Sequence, residues 1–186
     1  MEFRDALKNR RAVREYNDIP VTRSIIQSLI DAAVQAPSAM NLQPWAFCIL
    51  LDRQRIEAVA NRAKHWLLEN TGETSADLPV HYMLTDPDFD MLHHAPALVL
   101  VLAKSSDNQA IEDCCLAAEN LMLAARDVGL GTCWIGLSRP WLNLASTKVE
   151  LGIPEKYRIV APIILGYPKA WPESHGRNPP EIHWIP

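Results

Sequence analysis

Three short segments hold most of the side chains in this sequence that are able to do chemistry. The first is Ala36-Pro37-Ser38-Ala39-Met40-Asn41-Leu42-Gln43-Pro44-Trp45, a polar loop between an apolar helical pattern and an apolar strand pattern. Pro37 and Pro44 fix backbone angles near its ends, so Ser38, Asn41 and Gln43 have little freedom left to lose on binding. Neutral amides carry donor and acceptor together. That combination matches a heterocycle alternating carbonyl acceptors with an imide donor, as the pyrimidine edge of an isoalloxazine does. The same residue types also make an ordinary helix-to-strand turn.

The second segment, Arg10-Arg11-Ala12-Val13-Arg14, sets three guanidinium groups close together where a first amphipathic helix should run out. Arginine offers planar, bidentate donors that stay charged at any relevant pH, which suits a terminal phosphate. A solvated basic face is the other reading of such a run. The third segment, His175-Gly176-Arg177-Asn178-Pro179-Pro180, adds an arginine in a C-terminal tail. His81, His93 and His94 are available as proton donors, although a lone histidine is more often structural.

Helices and strands must position these groups. The patterns predict a helix over 2–9, and a second one capped by Thr22 and running to residue 36 with Ile25, Ile26, Leu29, Ile30 and Ala33 on its buried side. A buried strand over 46–51 and a helix over 54–68 follow. Residues 69–92 are irregular and suited to a cover over a site. Then come a strand over 97–103, a helix from about 109 to 128, a strand over 132–135, a helix over 141–151 and a strand over 158–166. This alternation predicts a layered α+β domain with one mixed sheet. The apolar surface of the long central helix runs more than halfway round it. It must be covered on several sides, by the sheet and by either a second chain or the rest of the monomer.

Composition sets outer bounds. The 186 residues suit one domain, and 48% hydrophobic content with a net charge of -4 offers no general attraction for nucleic acid or an anionic membrane. Residues 1–20 are too charged for a secretory signal, and charges interrupt the apolar stretch over 111–130, so a cytoplasmic chain is expected. Cys48, Cys114, Cys115 and Cys133 lack Cys-x-x-Cys spacing and read mostly as buried thiols. No metal site is expected from them or from His93-His94. No glycine fingerprint for a dinucleotide or a P-loop appears.

Taken together, Arg10-Arg11-x-x-Arg14 with Tyr16 and Pro20, then Pro37-Ser38-x-x-Asn41-x-Gln43-Pro44-Trp45, resemble the nitroreductase family of FMN-dependent oxidoreductases. His94-Ala95-Pro96-Ala97 and the stretches 118–136 and 162–168 extend the resemblance over nearly the whole chain. The resemblance implies a nitroreductase-like three-layer α+β sandwich, with a central mixed sheet flanked by helices, in an interlocked homodimer. It implies one FMN-binding domain over 1–186 with a tail from about 167. Arg10, Arg11, Ala12, Arg14 and Arg177 would hold the phosphate and ribityl region of FMN. Pro37, Ser38 and Asn41, from the second chain, would border the ring, with Gln43 at its polar edge or supporting the loop. Cys133, Trp134, Ile135 and Gly136 would pass beside the isoalloxazine, with Trp134 as a pocket wall or a core residue. NADH or NADPH would supply hydride, and a small acceptor such as a nitroaromatic or quinone would be reduced by a ping-pong route with no catalytic protein side chain. An FMN-binding or flavin-handling module without turnover is the alternative; an interaction protein without flavin would leave the arginines and amides unexplained. Two residues depart from the family pattern: Ala12 stands where serine is common, and His175 where lysine is.

Overall fold

The computed structural model describes residues 2–70 and 79–185. The chain forms seven α-helices among the described residues: α1 (Phe3–Asn9), α2 (Arg23–Ala33), α3 (Arg53–Asn70), α4 (Pro79–Thr85), α5 (Asn108–Asp127), α6 (Arg139–Leu142) and α7 (Ala145–Glu150). Four strands, β1 (Trp45–Leu50), β2 (Ala97–Ala103), β3 (Gly131–Trp134) and β4 (Arg158–Gly166), make one sheet in the order β1-β2-β4-β3. Every residue of β2 is buried, as its uninterrupted Ala-Leu-Val-Leu-Val-Leu-Ala sequence requires of a strand covered on both faces. Val99 and Val101 pack with α2 and α5, while Leu98, Leu100 and Leu102 pack with α3 and α6 on the other face. Helix, sheet, helix is thus the layer order.

The sheet differs from the mixed one expected. All three strand pairs are antiparallel, and the parallel component is a single bridge between Ala12 and Thr132. Helical connections usually favour parallel neighbours. Here α3, α4 and a turn over 91–94 bring the chain back to the end of the sheet that β1 left, where the start of β2 pairs with the end of β1, Leu98 opposite Leu50. The helix expected over 141–151 is also split into α6 and α7. At the break, Asn143 uses its amide as a miniature strand edge, donating to the Ile159 carbonyl at 2.9 Å and accepting from the Ile159 N–H at 3.0 Å.

Two glycines fix where the N-terminal arm lies. Gly131 and Gly166 face each other across β3 and β4. A Cβ on Gly131 would come within 2.6 Å of Val13, and one on Gly166 within 2.8 Å of Tyr16. Their bare backbone admits residues 12–17, which run beside β3 through Val13 N–H to Thr132 O at 2.9 Å and reach the residue after β4 through Asn17 N–H to Tyr167 O at 2.8 Å. Tyr16, buried with Val13, donates its hydroxyl to Val13 O at 2.6 Å and holds the two together.

After β4 the chain is irregular. Trp171 lies under the Arg126 guanidinium, whose carbon is 3.4 Å from the ring centroid, and residues 171–185 are exposed. Of the segment expected to be an irregular cover, 71–78 lies outside the described residues; the remainder includes the helix α4 and the turn over 91–94. No helix among the described residues is long and apolar enough to cross a membrane.

Candidate functional site

The arm carrying Arg10, Ala12 and Arg14 leaves α1 in extended geometry, with Arg10 at φ -62° and ψ 130°. Side chains in an extended segment alternate between two sides, so Arg10 and Arg14 share one side and Arg11 takes the other with Val13. Arg11 turns back onto α1, donating to Lys8 O at 2.8 Å and Arg10 O at 2.7 Å. Arg10 is half-buried and reaches Glu119 of α5 at 3.3 Å. Arg14 is exposed and has no carboxylate partner among the described residues. The three guanidinium groups therefore do not act as one bundle.

Cys133 is buried in the same cluster as Val13 and Tyr16 of the arm. Burial pushes its thiol above the ordinary value, while the positive charges of Arg14 and Arg10 pull the other way. Both arginines are therefore felt at the end of β3. Trp134, next in line, faces the opposite cluster with α5, so much of its ring belongs to the core. Ile135 is buried with Cys133, and its N–H reaches Pro162 O at 2.8 Å. Gly136 is exposed, and a Cβ there would meet nothing within 4 Å. Past Cys133, which feels the Arg14 charge, the chain runs out into open space at Gly136.

His93 borders the same region. Burial lowers its pKa first, and the Arg14 charge lowers it further, with Asp90 opposing. The ring is kept neutral near pH 7 and packs edge-on against Phe89, with centroids 5.9 Å apart. Both His93 and His94 adopt left-handed backbone, at φ 55° and 51°.

The amide loop stands elsewhere. Ala39–Asn41 forms a single 3-10 turn after α2, and Met40, Asn41 and Gln43 have φ of 50°, 55° and 47°. Left-handed backbone in residues other than glycine costs of order 1 kcal/mol each, so the loop needs anchors. Ser38 Oγ accepts the Gln43 N–H at 3.0 Å, and Gln43 Nε2 donates to Asn41 Oδ1 at 3.0 Å. The deeper anchor is Asp113 of α5, only 3% exposed, whose oxygens accept the Ala39 N–H at 3.3 and 3.2 Å. Gln109 Nε2 steadies that carboxylate at 3.3 Å. Sequence reading passed over Asp113. The signal was there, an acid one residue before Cys114 on the inward side of an otherwise apolar helix, with an amide one turn earlier.

Asp113 and Glu119 are six residues apart on α5. They lie about 9 Å apart along the helix axis and about 120° apart around it. One protomer thus holds the loop of Pro37, Ser38, Asn41 and Gln43 on one side of α5, and Arg10, Arg14 and the β3 end on another. No hydrogen bond or ion pair joins the two groups among the described residues. Arg177 stands apart from both, its Nη1 donating to Gly176 O at 2.7 Å on the exposed tail.

The family model that matches this chain, over residues 7–167, is that of the nitroreductase family. The chain belongs to the nitroreductase family. It is 30% identical over 183 residues to an Archaeoglobus fulgidus protein named "Putative NADH dehydrogenase/NAD(P)H nitroreductase", covering 94% of this chain and 92% of that one. A Methanothermobacter thermautotrophicus protein of the same name is 29% identical over 188 residues, covering 98% of this chain and 86% of its own. The fold matches the crystal structure of a nitroreductase with bound FMN from Bacteroides fragilis at a TM-score of 0.86, with 24% identity over 100% of this chain and 99% of that one. The nitroreductase match spans both halves of the candidate site.

Proposed function

We propose that the chain is an FMN-dependent oxidoreductase that uses NADH or NADPH to reduce a small organic acceptor, such as a nitroaromatic or quinone, by ping-pong turnover. In this reading residues 1–186 act as one cytoplasmic unit, with a tail from about 167, and two copies build each cofactor site between them. The observation that carries it is an exposed Arg14 without a carboxylate partner whose charge is felt at Cys133 in β3, the strand that runs on to the open backbone of Gly136. A phosphate-bearing planar ring needs both features.

The residues present fit FMN. Arg14 and Arg10 would meet its phosphate, joined by Arg177 from the tail, and Ala12 would contribute backbone alone. Arg11 would act mainly by holding the end of α1. Cys133 to Gly136 would line the ring, and Pro37, Ser38, Asn41 and Gln43 of the second chain would border its polar edge. The absence of a dinucleotide glycine fingerprint favours FMN over FAD. When bound, FMN supplies the hydride and electron transfer of both half-reactions, so no protein nucleophile is required. His93, held neutral, would not compete with the arginines for the phosphate.

Absorbance of the gently purified protein tests this. Flavin bands that NADH or NADPH bleaches without oxygen, and that a quinone or nitroaromatic then restores, are expected. A protein that binds supplied FMN but is not bleached is the module without turnover, and one that binds none has no flavin function.

A further inference from the structure

A cavity of about 550 Å³ opens beside the start of β4. Ser106, Arg139, Asn143, Lys148, Lys156 and Arg158 line it, and Glu155 supplies its one carboxylate against four cations. The chain as a whole carries a charge of -4, so this concentration of positive charge is local. Arg139, Lys156 and Arg158 have no carboxylate in ion-pair range among the described residues. The floor is rigid. Lys148 is 9% exposed and donates to the backbone carbonyls of Glu155 and Tyr157, while Asn143 clamps Ile159 through both amide atoms. On α5, the Cys115 thiol feels the Arg139 charge and, in opposition, that of Glu112.

The cavity is close to the strand end described above. Gly136–Ser138 forms a 3-10 turn that runs straight into Arg139. At a rise of roughly 2 Å per residue, Arg139 stands about 6 Å beyond Gly136. A reduced nicotinamide dinucleotide placed with its ring over the strand end has its first phosphate one ribose away from that ring. We propose that this cavity receives the phosphate groups of the NADH or NADPH donor. Guanidinium and ammonium groups without carboxylate partners are suited to such an anion. The inference rests on the oxidoreductase reading, because it takes the donor's ring to lie at the β3 end.

The test is calorimetric titration of the FMN-loaded protein with inorganic pyrophosphate, NAD⁺ and NADP⁺, which carry the phosphates without depending on turnover. Lys156→Gln combined with Arg158→Gln should weaken pyrophosphate and the oxidised dinucleotides together, by about tenfold or more for charge-assisted contacts, with FMN content unchanged. Arg139→Gln should do the same, and Arg158→Lys should retain most of the affinity, which separates charge from misfolding. Unchanged affinity for all three probes overturns the proposal. Loss of pyrophosphate binding with unchanged dinucleotide binding also overturns it, leaving a free-anion site. Loss of FMN from the double variant would assign the cavity to the cofactor instead. Failure of NADH and NADPH to bleach the flavin is a separate result that counts against the oxidoreductase reading and not against binding in the cavity.

Discussion

At the scale of single residues, the arginines are not equivalent, and that is testable. Arg14 is exposed and unpartnered, whereas Arg11 already donates to two carbonyls. Arg14→Ala should weaken FMN binding by roughly 1.5 to 3 kcal/mol, one to two decades in affinity, and Arg11→Ala by less. Fluorescence titration of the apoprotein with FMN reads both. The sequence made the three look like one cluster because spacing alone does not show that an extended arm splits its neighbours between two sides. The thiols carry a pH signature. Burial pushes Cys114 from an ordinary 9.0 up to about 12, with the neighbouring Cys115 and Asp113 adding to it. The folded state then holds a proton that the unfolded chain releases above 9.0, so stability is full below that pH and falls as pH rises toward 12. Chemical denaturation at a series of alkaline pH values should show a shallower fall in Cys114→Ala than in the parent.

At the scale of elements, α5 organises the molecule. Its Asp107 N-cap accepts the Ala110 N–H at 2.9 Å, its inward side fills the core, and Asp113 reaches out to hold the amide loop. Removing that carboxylate leaves the Ala39 N–H without a partner beside three strained residues. Asp113→Ala should therefore weaken FMN binding by about 1 to 3 kcal/mol, and Asp113→Asn, which keeps an acceptor oxygen, by less. The same FMN titration, with circular dichroism to confirm folding, checks this. Most elements were legible from local pattern. The Thr22 cap, the buried run of β2 and the long α5 all follow from side chains within one or two turns or strand lengths of each other. Strand direction was not, because it depends on how often a connection reverses. The break between α6 and α7 was not legible either, because it depends on Asn143 meeting Ile159 of β4, sixteen residues further on.

At the scale of the whole molecule, the surface of one chain is unfinished. Leu121, one of the apolar positions of the central helix, is fully buried in the protomer core. Leu116 is the outward leucine of α5, at 47% exposure, and Phe3, Leu7, Met40 and Leu42 also stand exposed. Large exposed apolar side chains near an incomplete site suit contact between chains. Leu116→Glu should lower dimer stability and flavin occupancy together without unfolding the chain, as size-exclusion chromatography with flavin absorbance would show. The most direct measurement is sedimentation velocity of the purified protein followed at the flavin band and at the protein band. Two chains that each complete the other's site predict flavin absorbance moving only with a species of twice the 20.9 kDa chain mass. Flavin moving in full stoichiometry with the 20.9 kDa monomer would contradict the shared site.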